Sequence, residues 1–329
     1  MSQVQPDIFT SIDYLCIVVI LMDCERMFTN IVLYCIFFIS VATHMSHPLL
    51  ITGTLVFLFL FRAYHIGKDD KRPAKKMMVL IILSLCGFLT MTKPLSRSRN
   101  IFFAGSLIQK GILKTYLHDK CGTKNYSLCR YADDLPDNAD VFWWLPSSPL
   151  YQIGGWKNAD SACGRIVYDV MTDPKYFGLY VVGTIKQAGS QAVTFSIGEG
   201  NTPMSPDANT YYAMQSFFPG EFGMFNNAWQ NKADITKSLV LPNKALAVII
   251  LCSVIALRFI FIRWHSLSRN MKLVLFVCIS GVIFNCLDCA AFGTISGRYG
   301  GKMIWLIPFC VLAWIATKSK VKSQNQKVG

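Results

Sequence analysis

Cys121 and Cys129 flank the hydrophilic stretch CGTKNYSLC, in a chain of 329 residues that is otherwise rich in apolar residues. Thiols outside the cytoplasm tend to oxidise, so the chemistry of this pair depends on the side of a membrane on which it lies. If the pair lies outside, we predict a disulfide, which stabilises a loop of this length by about 2.5 kcal/mol. The alternative is a zinc site that adds His118 and Cys163, although the spacing lacks the usual paired knuckles.

A second thiol pair, Cys286 and Cys289, stands in the sequence NCLDC near the end of an apolar run. Such pairs can pass electrons to other thiols, but two small residues three apart also pack well on one helix face. Asp288 lies between them, and a carboxylate inside a membrane is by default a candidate functional residue. We predict that Asp288 either forms an ion pair with Arg298 or belongs to a ligand site.

Two arginines, Arg97 and Arg99, follow an apolar run directly in the sequence PLSRSRN. Arginine binds phosphate with two parallel hydrogen bonds, and the N-terminus of a following helix can add backbone donors. The pair therefore predicts a site for a lipid phosphate or diphosphate at the membrane surface. Anchoring of the chain at the interface is the alternative reading.

An aromatic stretch, DVFWWLPSSPLYQIGGW, follows a group of aspartates. Aromatic rings together with carboxylates can form a saccharide-binding groove, and paired carboxylates can do acid–base chemistry on a sugar. The same rings could instead form a domain core or an interfacial belt. The residues concerned are Trp143, Trp144, Tyr151 and Trp156, with Asp133, Asp134, Asp137 and Asp140 before them.

The elements that must position these residues are membrane helices. Hydrophobic residues make up 53% of the chain and charged residues only 16%, against about 25% in soluble domains. We predict an all-α polytopic protein with about seven transmembrane helices, or five if the first two runs form a re-entrant hairpin. The runs are Ile8–Met22, Phe28–Thr43, Leu49–Tyr64, Lys76–Thr92, Leu241–Ile262, Lys272–Phe292 and Met303–Thr317.

The net charge of +13 lies mostly in short loops and the tail, whereas residues 93–240 are nearly balanced, with 14 basic and 12 acidic residues. Three basic segments, 62–76, 258–272 and 318–327, fall on one side if the spans alternate. The positive-inside rule makes that side cytoplasmic, which places the N-terminus and residues 93–240 outside and the C-terminus inside. A basic charge scattered in this way does not predict nucleic-acid binding.

The chain therefore divides into an N-terminal membrane block (1–92), an extracytoplasmic domain (93–240), a C-terminal membrane block (241–317) and a basic tail (318–329). The extracytoplasmic domain reads as mainly helical. After Asn100, the apolar residues Ile101, Ala104, Ile108, Ile112 and Leu113 recur on one helical face, and Ser98 or Asn100 could cap that helix. The pattern around Val181 and Val193 is compatible with either a helix or a strand.

Four stretches of the chain resemble a set of uncharacterised bacterial inner-membrane proteins, found mainly in proteobacteria. They are PLSRSRNIFFAGSLIQKGILKTYL, LCRYADDLP, SPLYQIGGW and RYGGKMIWLIP. The resemblance implies a periplasmic domain between two membrane blocks, and it carries no activity and no catalytic residues.

These patterns predict an integral inner-membrane protein of cell-envelope biogenesis that binds a lipid-linked or saccharide ligand at its periplasmic face. The bilayer is its expected environment, and neither a cofactor nor a metal is predicted. One alternative is a module without enzymatic activity that docks a periplasmic protein. The other is a thiol–disulfide oxidoreductase that uses Cys286 and Cys289.

Overall fold

The computed structural model describes residues 8–22, 27–44, 46–65, 72–95, 98–199, 203–206, 209–232 and 235–325. Within these residues the regular secondary structure is helical throughout, which confirms the predicted all-α class. The α-helices, in chain order, are α1 (Ile8–Leu21), α2 (Met27–Val41), α3 (Ser46–His65), α4 (Arg72–Leu95), α5 (Arg99–Gln109), α6 (Ile112–Lys120), α7 (Ala139–Trp144), α8 (Pro149–Gln152), α9 (Gly155–Asn158), α10 (Asp160–Thr172), α11 (Pro174–Val193), α12 (Asn209–Phe217), α13 (Phe222–Asn227), α14 (Trp229–Lys232), α15 (Ile235–Ser238), α16 (Val240–Ile262), α17 (Arg269–Phe292), α18 (Gly297–Ile304) and α19 (Leu306–Asn325).

Four helical segments of the described chain are long and apolar enough to cross a membrane: Pro73–Thr90, Val240–Ile262, Arg269–Phe292 and Gly297–Ser319. The last segment is interrupted at Trp305, where α18 ends and α19 begins. Three further apolar helices are shorter, namely α1, α2 and the first part of α3. At 1.5 Å per residue, the 14 residues of α1 extend about 21 Å, less than the roughly 30 Å hydrocarbon core.

The buried apolar residues fall into two clusters. One, which we call the bundle, is formed by α1–α4 and α16–α19. The other, the middle cluster, is formed by α5–α8, α10 and the first half of α11, with the segment around Leu128. The bundle is organised around α17, which packs against α1, α3 and α19 and has 61% of its apolar window buried, against 22–33% in the other three segments.

The predicted helix after Asn100 is broken into two. α5 ends at Gln109, and Gly111 takes a positive φ of 69° before α6 begins at Ile112. Glycine adopts this conformation without the penalty that a Cβ imposes, so the chain can turn there. All five residues predicted on one face are nevertheless buried, because the turn keeps both helices against the same cluster.

The segment from Pro174 to Val193, left open between helix and strand, is a single helix of 20 residues. Asp173 caps it by accepting a hydrogen bond from the Lys175 amide at 3.0 Å, and Pro174 fits its first turn. This helix, α11, packs along α17 and so joins the middle cluster to the bundle.

Candidate functional site

The candidate site begins at α7, which carries two consecutive tryptophans that differ in exposure. The Asn138 side chain caps this short helix, accepting hydrogen bonds from the amides of Asp140 at 2.7 Å and Val141 at 3.3 Å. Trp143 is buried, and its indole Nε1 donates to the Ile101 carbonyl at 3.1 Å. Trp144 is 53% exposed, and Asp140 lies one turn before it, on the same face of the helix.

Trp156 completes an aromatic platform beside Trp144. The two ring centroids are 5.1 Å apart and the planes are 29° from parallel. Two successive positive φ angles, at Gly154 and Gly155, turn the chain so that Trp156 reaches this position. Its indole Nε1 donates to the Tyr151 hydroxyl at 3.3 Å, which fixes the ring. Of the three predicted tryptophans, Trp144 and Trp156 thus come together at the surface and Trp143 supports them from the core.

Arg298 approaches this platform from α18. Its backbone N–H donates to the Glu199 carboxylate at 2.8 Å, so Glu199 caps the first turn of α18. Its guanidinium donates to the Tyr299 hydroxyl at 2.8 Å and stacks over that ring at 4.8 Å. The charges of Arg298 and Glu199 both act on Asp140, so residues that are 158 positions apart, Asp140 and Arg298, share one surface.

The electrostatic balance at Asp140 is set by opposing effects. Burial raises the pKa of the Asp140 carboxyl above its ordinary value, and the nearby Glu199 charge acts in the same direction. Arg298 and the Trp144 side chain lower the pKa of Asp140. We call the set of Asp140, Trp144, Trp156, Glu199 and Arg298 the Asp140–Arg298 surface. It offers a flat aromatic face, two carboxylates as hydrogen-bond acceptors and one guanidinium as a donor.

The predicted phosphate site at Arg97 and Arg99 is only partly described. Arg97 lies outside the described residues, and Arg99 is the exposed first residue of α5. The backbone donors expected at this helix end are engaged by Asp160, whose Oδ1 accepts from the Asn100 amide at 2.8 Å. Asp160, rather than Ser98 or Asn100, is therefore the side chain that caps α5, and a phosphate would have to bind through the arginine side chains.

Asp288 lies in α17, and the cation whose charge acts on it is Lys302 of α18. Our prediction offered Arg298 as its partner. Lys302 stands one turn beyond Arg298 in α18, and the Arg298 guanidinium contacts the Tyr299 hydroxyl. Asp288 thus belongs to the bundle and not to the Asp140–Arg298 surface.

The cysteine pair in the hydrophilic loop is oxidised, as predicted, whereas the pair in the apolar run is not. Cys121 and Cys129 form a disulfide, with Cα atoms 5.6 Å apart. The bond removes two of the four proposed zinc ligands, and the described residues contain no group of three His, Cys, Asp or Glu side chains arranged for a metal. Cys286 and Cys289 are free thiols at most 7% exposed. Because thiol exchange requires access to the thiolate, their burial gives the oxidoreductase hypothesis no support.

An open groove of about 780 Å³ lies beside Asn100, near the N-terminus of α5. Its walls are α10 and the disulfide-closed loop, and it includes Asn100, Lys124, Arg165 and Tyr168. Lys124 is engaged there by Asp169, with Nζ 3.3 Å from Oδ2. Sequence reasoning missed this groove because its polar residues come from three separated segments without a common motif.

The chain was compared with protein-family models, with curated proteins and with solved structures, and nothing matches in any of the three. The geometry of the described residues is therefore the basis on which a function is proposed.

Proposed function

We propose that this chain is an integral protein of a bacterial inner membrane, active in cell-envelope biogenesis, and that it binds the saccharide part of a lipid-linked ligand. The observation that carries the proposal is the Asp140–Arg298 surface. It combines a stacked pair of tryptophans, of which Trp144 is exposed and Trp156 is half-buried, with the Asp140 carboxylate and with a guanidinium from a different part of the chain.

The proposed chemistry follows from the residue types. The apolar face of a sugar ring packs on an aromatic ring, and the Trp144–Trp156 pair offers such a face. Sugar hydroxyls donate to a carboxylate such as Asp140 and accept from a guanidinium such as Arg298. Arg99 and Arg97 are proposed to contact the phosphate that joins the saccharide to its lipid, as arginine does with two parallel hydrogen bonds.

The proposed orientation puts this surface in the periplasm. Seven spans are proposed, made by the four long apolar segments and the three shorter helices. The basic loops and tail then lie in the cytoplasm, together with the C-terminus, and the N-terminus lies outside. A cysteine introduced at Asp137, in the middle cluster, should react with a membrane-impermeant maleimide in whole spheroplasts if this orientation is right. Reaction only after lysis contradicts the orientation.

The ligand proposal is tested with the purified protein in lipid nanodiscs and a panel of soluble cell-wall oligosaccharides. A saccharide that binds the platform should change the tryptophan fluorescence in a saturable way. Trp144→Ala, Asp140→Asn and Arg298→Ala should each weaken binding by about fivefold or more, since each removes a contact of about 1–3 kcal/mol. Trp229→Ala is the matched control, because Trp229 is also an exposed tryptophan, 65% accessible, but lies in α14.

The control decides between specific and general effects. If Trp229→Ala reduces the signal as much as Trp144→Ala, the change does not report on the platform. If no saccharide in the panel produces a saturable change, or if the three site variants bind as the wild type does, the saccharide proposal is wrong.

A second candidate function is favoured by the segment from α12 to α14. Several of its large apolar side chains are exposed, and contiguous exposed apolar patches mark interaction sites on folded proteins. A periplasmic protein could dock there without any reaction taking place. In this case Phe217→Ser and Met224→Ser together should release a stoichiometric partner that co-purifies with the wild type. The exposed residues are Tyr212, Phe217, Phe218, Met224 and Trp229.

A further inference from the structure

A pair of ionisable side chains is buried inside the bundle, and neither of them belongs to the motifs that predicted candidate site residues. Asp13 of α1 and His47 of α3 both have an exposure of 0%. The Asp13 Oδ2 atom lies 3.8 Å from the His47 Nδ1 atom. An ionisable pair in such a place is costly to bury and therefore marks a functional site by default.

The His47 imidazole is held at both nitrogens. Its Nε2 atom is 2.7 Å from the Thr10 hydroxyl, and its Nδ1 atom is 3.2 Å from the Ser40 carbonyl oxygen. A hydroxyl can donate or accept, and a carbonyl accepts, so this cage suits both neutral imidazole with a proton on Nδ1 and the imidazolium ion. The Thr10 hydroxyl can accept from an Nε2–H group in either protonation state, whereas the Ser40 carbonyl accepts from His47 only while Nδ1 carries a proton.

The Asp13 carboxyl has no such cage. Neither of its buried oxygens makes a regular hydrogen bond to the described residues, and the Ser40 side chain lies nearby. A buried carboxylate anion with so little support is unfavourable, so we expect its charge to be balanced by a proton on Asp13 or by a proton on His47. Either arrangement contains one proton more than an ionised aspartate beside a neutral histidine. When one proton moves from Nδ1 of the imidazolium to Asp13 Oδ2, His47 is left neutral with its remaining proton on Nε2, which faces the Thr10 hydroxyl.

We propose that Asp13 and His47 form a proton-binding site inside the bundle, which holds one proton between them. His44 lies at the turn between α2 and α3, half-buried, with its ring centroid 5.2 Å from that of His47. Its Nδ1 atom is 2.9 Å from the Ser46 hydroxyl.

The other titratable groups near this pair have contacts of their own. The Tyr14 hydroxyl is 2.8 Å from the Thr54 hydroxyl, and the Lys76 ammonium donates to the Ile20 carbonyl at 2.9 Å. In the described part of the chain, the basic side chain within 4 Å of the Asp13 carboxylate is His47. The ionisable groups of α1 and of the helices packed on it include Tyr14 and Cys16 of α1, Tyr34 of α2, Lys75 and Lys76 of α4, Cys278, Cys286 and Asp288 of α17, and Arg298, Tyr299 and Lys302 of α18.

Two spectroscopic signals on the whole protein in nanodiscs test the proposal. One is the infrared band of a protonated carboxyl group, and the other is the ¹⁵N resonance of an imidazolium ring in histidine-labelled protein. At pH 7 we expect a carboxyl band that is lost in Asp13→Asn, or an imidazolium resonance that is lost in His47→Gln. Asp137→Asn and His118→Ala are the matched controls, since both residues are exposed and lie outside the bundle. Neither control should remove the signal.

The proposal is overturned if the wild type at pH 7 has a neutral His47 together with an ionised Asp13. The wild-type spectra decide this, with His47→Gln for assignment, even if Asp13→Asn does not fold.

Discussion

The Lys110 ammonium donates a hydrogen bond to the Ala290 carbonyl oxygen at 2.5 Å. Lys110, which follows α5 of the middle cluster, thereby caps the C-terminal end of α17. The same nitrogen donates to the Ser106 hydroxyl at 2.6 Å, which in turn donates to the Ala291 carbonyl at 2.6 Å. The last carbonyls of a helix have no partner within it, and a cation there also meets the negative end of the helix dipole. This contact therefore fastens the two clusters to each other.

Replacing Lys110 by Met should lower the free energy of unfolding by about 2 kcal/mol, because the Ala290 carbonyl loses a charged donor. Thermal unfolding in detergent measures this. Lys114→Met is the matched control, since Lys114 makes only a long exposed contact of 3.4 Å to the Asp133 carbonyl, and its effect should be small. Equal losses in the two variants would contradict a special role for Lys110.

The same lysine predicts a pH dependence. Burial lowers the pKa of Lys110 to about 8, whereas an unfolded lysine keeps its proton to about pH 10.4. Between these values the unfolded state binds more protons than the folded state, so the stability contributed by this residue rises with pH. The wild type should gain stability relative to Lys110→Met from pH 8 to pH 10, as thermal unfolding at several pH values can measure. A constant difference across this range would contradict the assignment.

Replacing Asp160 by Ala should cost about 1 kcal/mol, because α5 loses the acceptor for its first amides. Asp160→Asn should cost less, since an amide oxygen can still accept from the Asn100 N–H. Asp137→Ala is the control, as Asp137 is an exposed aspartate of the same region. Protection of the Asn100 and Ile101 amides from hydrogen exchange gives the measurement, and unchanged protection in Asp160→Ala would be the contrary result.

Replacing Gly105 by Ala should cost about 1–3 kcal/mol through overpacking. A Cβ atom at Gly105 would lie 2.2 Å from the Trp143 indole, so the ring that supports the platform must move. Near-ultraviolet circular dichroism, which reports on fixed tryptophans, should change with the stability. Gly122→Ala is the control, because a Cβ atom there has open space within 4 Å. A fully wild-type spectrum and stability in Gly105→Ala would show that the site repacks freely.

The double variant Cys121→Ser and Cys129→Ser should lose about 2.5 kcal/mol of stability, since the unfolded chain regains the freedom of an open loop. In the wild type without reductant, neither cysteine should react with a maleimide. Peptide mapping of the labelled protein separates these two from the exposed thiols Cys35, Cys86 and Cys252. Labelling of Cys121 before reduction would contradict the bond.

Sequence reasoning found the features that depend on local composition. The helical class, the apolar segments and the disulfide follow from hydrophobic runs and from the position of Cys121 and Cys129 in a hydrophilic loop. Trp144 and Trp156 were found because aromatic density is visible along the chain. Trp143 could not be separated from Trp144 by composition, because the direction of each ring depends on the register of α7 against α5.

The features that sequence reasoning missed depend on pairing between distant segments. Asp160 caps a helix 60 positions earlier, and nothing in either stretch indicates the other. Asp13 lies in the first apolar run and His47 lies between the second and third runs, and only the packing of the helices makes them a pair. Asp288 was noticed, yet its partner depends on the rotation of α18, which the pattern RYGGK does not fix.

Two glycines of the RYGGK stretch lie against the backbone of the chain after α11, and the Glu199 side chain also contacts this stretch. A Cβ atom at Gly300 would lie 2.1 Å from the Thr194 carbonyl oxygen, and one at Gly301 would lie 2.5 Å from the Ser196 carbonyl oxygen. Because these glycines meet the backbone directly, this part of the contact contains no side chain whose rotamer could change to accommodate a movement. We expect a tilt of α18 to move the chain after α11 together with it. Because Arg298 belongs to α18 and Asp140 belongs to α7, the same tilt should change the distance between these two residues and hence the width of the Asp140–Arg298 surface.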